Sequence, residues 1–76
     1  MVLKGYVLKD DAGVLGIVPA AHADSGGEPQ AWDYIRKNRI LQTVYAEPDE
    51  DLVDFIIRIN RLADRWRMRF EHQNTN

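Results

Sequence analysis

The chain contains no cysteine, so it can form no disulfide, no thiolate nucleophile and no Cys-ligated zinc site. Long apolar runs are missing too. Stretches such as Phe55-Ile56-Ile57 fall far short of the roughly 20 residues a membrane-spanning helix needs. Behind Met1 there is no apolar core following a basic start, so no signal peptide is expected. Hydroxyl side chains other than tyrosine are limited to Ser25, Thr43 and Thr75, and no Gly-x-Ser-x-Gly elbow surrounds Ser25. His22 and His72 are far apart and lack the short spacing of a metal-binding pair. Asp10-Asp11 and Asp49-Glu50-Asp51 do not follow the calcium-loop pattern, and no Gly-Lys-Ser/Thr follows Gly26-Gly27 to make a phosphate loop. The expectation is a non-enzymatic cytoplasmic protein without catalytic residues, cofactor, metal or membrane contact.

What is present fits one small globular domain. The 76 residues are 45% hydrophobic and 29% charged, with a net charge of −2. A chain of this size buries only about 60–65% of its unfolded surface, which leaves little room for a deep cleft. The near-neutral total hides a segregation of charge. Glu47, Asp49, Glu50, Asp51 and Asp54 precede a stretch carrying Arg58, Arg61, Arg65, Arg67 and Arg69. Acids at the start and bases at the end of a helix both complement its dipole, by about 0.3–1 kcal/mol each.

Periodicity places the elements. Residues 2–9 and 14–18 read as two strands around the turn Asp10-Asp11-Ala12-Gly13, a hairpin pattern, with Pro19 just past the second strand. Residues 20–27 read as a loop. Glu28-Pro29 opens a short helix with Ala31, Trp32 and Ile35 on one side and Asn38 as its stop. Residues 39–46 form a third strand. Pro48 and the acids after it start a long helix whose apolar stripe runs through Leu52, Phe55, Ile59, Leu62 and Trp66. The predicted fold is α+β in the order β-β-α-β-α: a three- to four-stranded, mainly antiparallel sheet with two helices on one face. Residues 1–71 form the single domain and residues 72–76 a frayed tail.

A second reading follows from Lys9-Asp10-Asp11-Ala12-Gly13-Val14-Leu15, which resembles the strand-to-helix turn of ACT domains, small ligand-binding regulatory modules of β-α-β-β-α-β order. The resemblance implies a ferredoxin-like sheet, a helix over 14–25, a strand over 30–36 and a last strand over 65–71. There Trp66, Met68 and Phe70 alternate with Arg65, Arg67 and Arg69. It also implies amino-acid binding near residues 10–15 at a subunit interface. Gly16 and Pro19 fall inside the implied first helix, where interior glycine costs about 1 and interior proline about 3 kcal/mol, so the hairpin reading is favoured.

Two surface features point to function. Arg58, Arg61, Arg65 and Arg69 fall within about 80° of one another on the long helix and form an anion-recognising ridge. The strands are also apolar on both sides. In the third, Ile40 and Val44 are expected to oppose Leu41 and Tyr45, and Val53 and Ile57 lie outside the main helix stripe. Two helices on one face would leave that apolar surplus in water, where a small domain can ill spare it. The sequence therefore predicts an accessory, regulatory or inhibitory protein-binding module. Leu41, Tyr45, Val53 and Ile57 would supply affinity, Arg58, Arg61, Arg65 and Arg69 would supply orientation, and a homodimer is one form of such an interface. The alternatives are nucleic-acid binding along the arginine stripe, against which the net charge argues, and the ACT-like small-molecule module.

Overall fold

The first turn of the chain is fixed by one carboxylate. Asp10 Oδ1 accepts hydrogen bonds from the backbone N–H groups of Ala12 (2.8 Å) and Gly13 (3.0 Å), the local ring that makes Asp a turn residue. Gly13 then takes a φ of 137°, a conformation that side chains with a Cβ rarely adopt. The result is a hairpin between β1 (Lys4–Asp10) and β2 (Gly13–Ile17), paired from Tyr6 opposite Ile17 to Asp10 opposite Gly13. The computed structural model describes residues 3–19 and 28–73, with only the backbone at 28–30. The expected loop over 20–27, with His22 and Ser25, lies outside them, as do residues 74–76 of the expected tail.

The remaining elements are α1 (Glu28–Lys37), β3 (Arg39–Tyr45) and α2 (Leu52–Gln73). Asn38 stops α1: its side-chain amide donates to the Tyr34 carbonyl at 2.9 Å. Asp51 starts α2 as N-cap, its carboxylate accepting from the Asp54 N–H at 2.8 Å, so the helix begins after the Pro48-Asp49 turn rather than at Pro48. β3 pairs antiparallel with β1, giving one open sheet in the order β2-β1-β3. The order β-β-α-β-α and the α+β class are those the sequence predicts. The ferredoxin-like alternative fails on two elements: residues 14–17 are strand and residues 65–71 are helix. Gly16 is needed in a strand, where Ile59 of α2 approaches it too closely for a side chain.

The helices divide between the two sides of the sheet, which differs from the expectation of both on one face. On one side, Tyr6 and Leu8 of β1 pack with Ile35 of α1, and Trp32 meets the Tyr6 ring edge-on at 5.9 Å. On the other, Val7, Val14 and Ala63 form one buried group and Val18, Val44, Phe55 and Ile59 another, both against α2. The reason is the central strand. Successive residues of β1 point to opposite faces and both sets are apolar, so each face needs its own cover.

β3 carries a second difference. Its register steps from Val7 opposite Gln42 to Leu8 opposite Ile40, leaving Leu41 as the extra residue of a β-bulge. The bulge sends Leu41 to the α2 side with Val44, where it packs against Val7, Val14 and Ala63. Ile40 and Tyr45 remain on the α1 side. The simple alternation expected for this strand does not hold.

One polar tie crosses from α1 to the hairpin: the Tyr34 hydroxyl donates to Asp10 Oδ2. That hydrogen bond pushes the phenol up to about 12 and holds the Asp10 carboxyl below its ordinary value. Asp10 is depressed, so its contribution is present above the ordinary carboxylate range and is lost as pH falls through its lowered value. Tyr34 is raised, so its contribution is complete below its ordinary value and is lost as pH rises through about 12. Absorbance titration at alkaline pH should therefore show one phenol ionising near pH 12, and Asp10→Asn should return it toward the ordinary tyrosine range. A late-ionising phenol unchanged in Asp10→Asn would remove the tie.

Candidate functional site

The arginines of α2 separate into two sets once the helix is docked. Arg58 is used inside the domain. Its Nε and Nη2 donate to both oxygens of Glu50 (2.9 and 2.8 Å), and Nη2 also donates to the Tyr45 carbonyl at 2.9 Å. Its guanidinium lies 5.3 Å from the centre of the Phe55 ring. The fork hydrogen-bonded to Glu50 raises the Arg58 pKa and lowers that of the Glu50 carboxyl. Arg58 thus straps the loop between β3 and α2 onto the core and does not stand in the predicted ridge. Arg67, on the flank of α2 over β2, is also engaged, donating through Nε to the Val14 carbonyl at 2.9 Å and pairing with Asp64.

Arg65 and Arg69 lie on the opposite flank, which faces β3, while Arg61 stands on the outward face of the helix with Ile57 and Met68. None has a carboxylate within ion-pairing distance among the described residues. The Arg69 guanidinium sits 4.7 Å from the centre of the Trp66 indole, whose N–H donates to Gln42 Oε1 at 3.0 Å. A cavity of about 230 Å³ opens here between β3 and α2, lined by Gln42, Leu62, Arg65, Trp66 and Arg69. Arg39, at the start of β3, shares this side of the sheet: it pairs with Lys9, whose ammonium lies over the Phe70 ring. It too has no carboxylate partner among the described residues.

The predicted apolar contacts scatter. Leu41 is half-buried in the α2-side core. Tyr45 is 58% exposed on the α1 side at the end of β3, and Ile40, 46% exposed, lies on the same side near its start. Val53 (65% exposed) and Ile57 lie on the outward face of α2 with Met68. They do not adjoin Tyr45, because their helical positions are turned away from the sheet. Of the eight residues read from sequence, Arg65, Arg69 and Tyr45 are brought to one edge; Arg61, Val53 and Ile57 stand apart on the outward face of α2, and Leu41 and Arg58 serve the fold. Arg39, Gln42 and Thr43 also belong to that edge, and Ile40, expected on the side opposite Tyr45, shares its side. The bulge at Leu41 hid them, since it breaks the alternation that would have marked Ile40 and Tyr45 as one set.

That edge has free backbone. The Ala46 N–H donates to the Leu3 carbonyl at 2.9 Å, so the inward-facing groups of β3 are those of Ala46, Val44 and Gln42. By the alternation of an antiparallel ladder, Thr43 and Tyr45 turn their N–H and C=O outward. Arg58 takes the Tyr45 carbonyl; among the described residues Thr43 has no strand beyond it, because β3 ends the sheet. Among the described residues there is no group of His, Cys, Asp or Glu arranged to hold a metal ion, and no helix long and apolar enough to cross a membrane.

Fold and site together define a three-stranded antiparallel sheet with one helix on each face and a cationic, open third-strand edge. No family model matches the chain, and no curated protein or solved structure is significantly similar to it.

Proposed function

We propose that this domain is a non-catalytic protein-binding module, an accessory or regulatory protein that docks on a larger one through the β3 edge and the neighbouring flank of α2. The observation that carries this reading is the concentration of Arg39, Arg65 and Arg69, none with a carboxylate partner among the described residues, beside an edge strand with outward backbone groups and exposed Ile40 and Tyr45. Arginine beside free backbone suits geometry-dependent recognition of carboxylates, and the two apolar side chains add area to desolvate. The cavity at Trp66 is lined by arginine, amide, indole and leucine side chains, a mixture that suits contact with a protein surface. The net charge of −2 makes general phosphate binding a poorer fit than a protein surface of matching pattern.

Affinity capture from the source organism, comparing the native chain with Arg61→Glu/Arg65→Glu, tests this reading. The expected result is a protein partner retained by the native chain and lost by the double variant, whose circular dichroism is unchanged. Retention by both, or capture only of nucleic acid that falls off steeply between about 50 and 200 mM salt, would overturn it.

A further inference from the structure

Resting on that reading, we infer that the partner is an extended segment of another protein in which acidic and apolar residues alternate, added to the sheet as a fourth strand along β3. Three independent features of one edge specify it. The outward N–H and C=O of Thr43 and the outward N–H of Tyr45 are the groups an incoming strand pairs with. β3 spans seven residues, carries no proline and, among the described residues, ends the sheet. The two sides of the strand differ in chemistry: Ile40 and Tyr45 are exposed on the α1 side, while Arg39, Arg65 and Arg69 stand on the α2 side.

A strand presents successive side chains to opposite faces. Laid beside β3, it places every second residue against Ile40, Thr43 and Tyr45, where apolar side chains fit. The residues between face Gln42, Arg65 and Arg69, where carboxylates can take the free guanidinium N–H groups. The acids of the segment sit toward the start of β3. At the other end the loop is itself acidic, with Glu47, Glu50 and Asp51.

A second copy of this chain is the competing occupant, and charge disfavours it. A two-fold pairing of β3 with β3 sets each α2 flank beside the same flank of its partner. Arg65 and Arg69 would then meet a pair of the same sign across the junction. Nucleic acid would use the same arginines but has no backbone amides to pair with Thr43.

The probe is a short capped peptide alternating valine and glutamate, followed by fluorescence anisotropy and by amide hydrogen exchange of the protein. Binding with slowed exchange at Thr43 is expected, and Arg65→Glu/Arg69→Glu should weaken it by about tenfold or more, since two charge-assisted contacts are lost. A peptide alternating valine with lysine, one with its valines and glutamates in separate blocks, and one N-methylated at its valine amides, the set that faces β3, should all bind at least about tenfold more weakly. The N-methylated peptide tests strand pairing without altering the protein, so it decides the matter even if Arg65→Glu/Arg69→Glu fails to fold. Equal binding of the N-methylated or block peptide, no slowing at Thr43, or slowing that depends on protein concentration alone would overturn strand addition. If a captured protein partner is lost on Arg61→Glu/Arg65→Glu while these peptide results are negative, protein binding stands and strand addition falls. Without any captured protein, both fall.

Discussion

Truncating Phe55 to alanine is expected to cost this domain about 3–5 kcal/mol, the usual range for a fully buried phenylalanine. Phe55 has no solvent exposure and sits among Val18, Val44 and Ile59 at the centre of the α2-side core. Its ring also lies against Gly5 of the central strand and under the Arg58 guanidinium. Removing it opens a cavity and takes away the surface on which the Arg58–Glu50 strap rests. A chain of this length has a total stability of about 4–11 kcal/mol, so the loss is a large share of it. Urea unfolding followed by tryptophan fluorescence measures the change, because Trp32 and Trp66 report on opposite faces of the sheet. A cost below about 1 kcal/mol would contradict the burial of Phe55.

The second large effect is at Gly16, where a Cβ would lie 2.4 Å from Ile59 Cγ2 and 3.2 Å from the Ile59 carbonyl oxygen. Cγ2 is fixed to a stiff, β-branched Cβ and the carbonyl belongs to the helix backbone, so neither can yield without moving α2. Gly16→Ala is therefore expected to destabilise by about 2–3 kcal/mol and Gly16→Val by more, as overpacking of a filled core does. Gly5→Ala is the internal control. Its Cβ would meet Ile59 Cδ1 at 2.8 Å, the far end of a side chain that can rotate, so its cost should be smaller. Combining Gly16→Ala with Ile59→Ala should cost less than the two changes summed, since the alanine at 59 removes the clashing methyl. Strict additivity would mean that α2 and β2 do not approach as closely as they do here.

Both effects bear on function, because α2 holds the arginines over the β3 edge only while it is seated on β1 and β2. Glycine at 5 and 16 lets that helix lie close to the sheet, and the Arg58 strap fixes its first turns to the end of β3. A helix held further off would carry Arg65 and Arg69 away from Gln42 and the outward amides.

The hairpin was legible in advance because Asp10 and Gly13 act on their nearest neighbours. The same holds for the stop at Asn38 and for the stripe from Leu52 to Trp66. The candidate site was only half legible. Arg61, Arg65 and Arg69 could be placed on one helix side from spacing alone, but spacing does not distinguish them from Arg58, which belongs to Glu50, or from Arg67, which belongs to Val14 and Asp64. Leu41 looked like an outward residue because one inserted position changes the face of every side chain before or after it.

The chain by itself determined its elements and their order, since helix and strand periods, caps and turns are set by residues a few positions apart. Only the tertiary structure decided that the helices take opposite faces, that β3 bulges at Leu41, and which arginines are left without a partner. Those outcomes depend on contacts between residues far apart in sequence, Gln42 with Trp66 and Val14 with Arg67 among them, and on which of two equally apolar faces of β1 each helix covers.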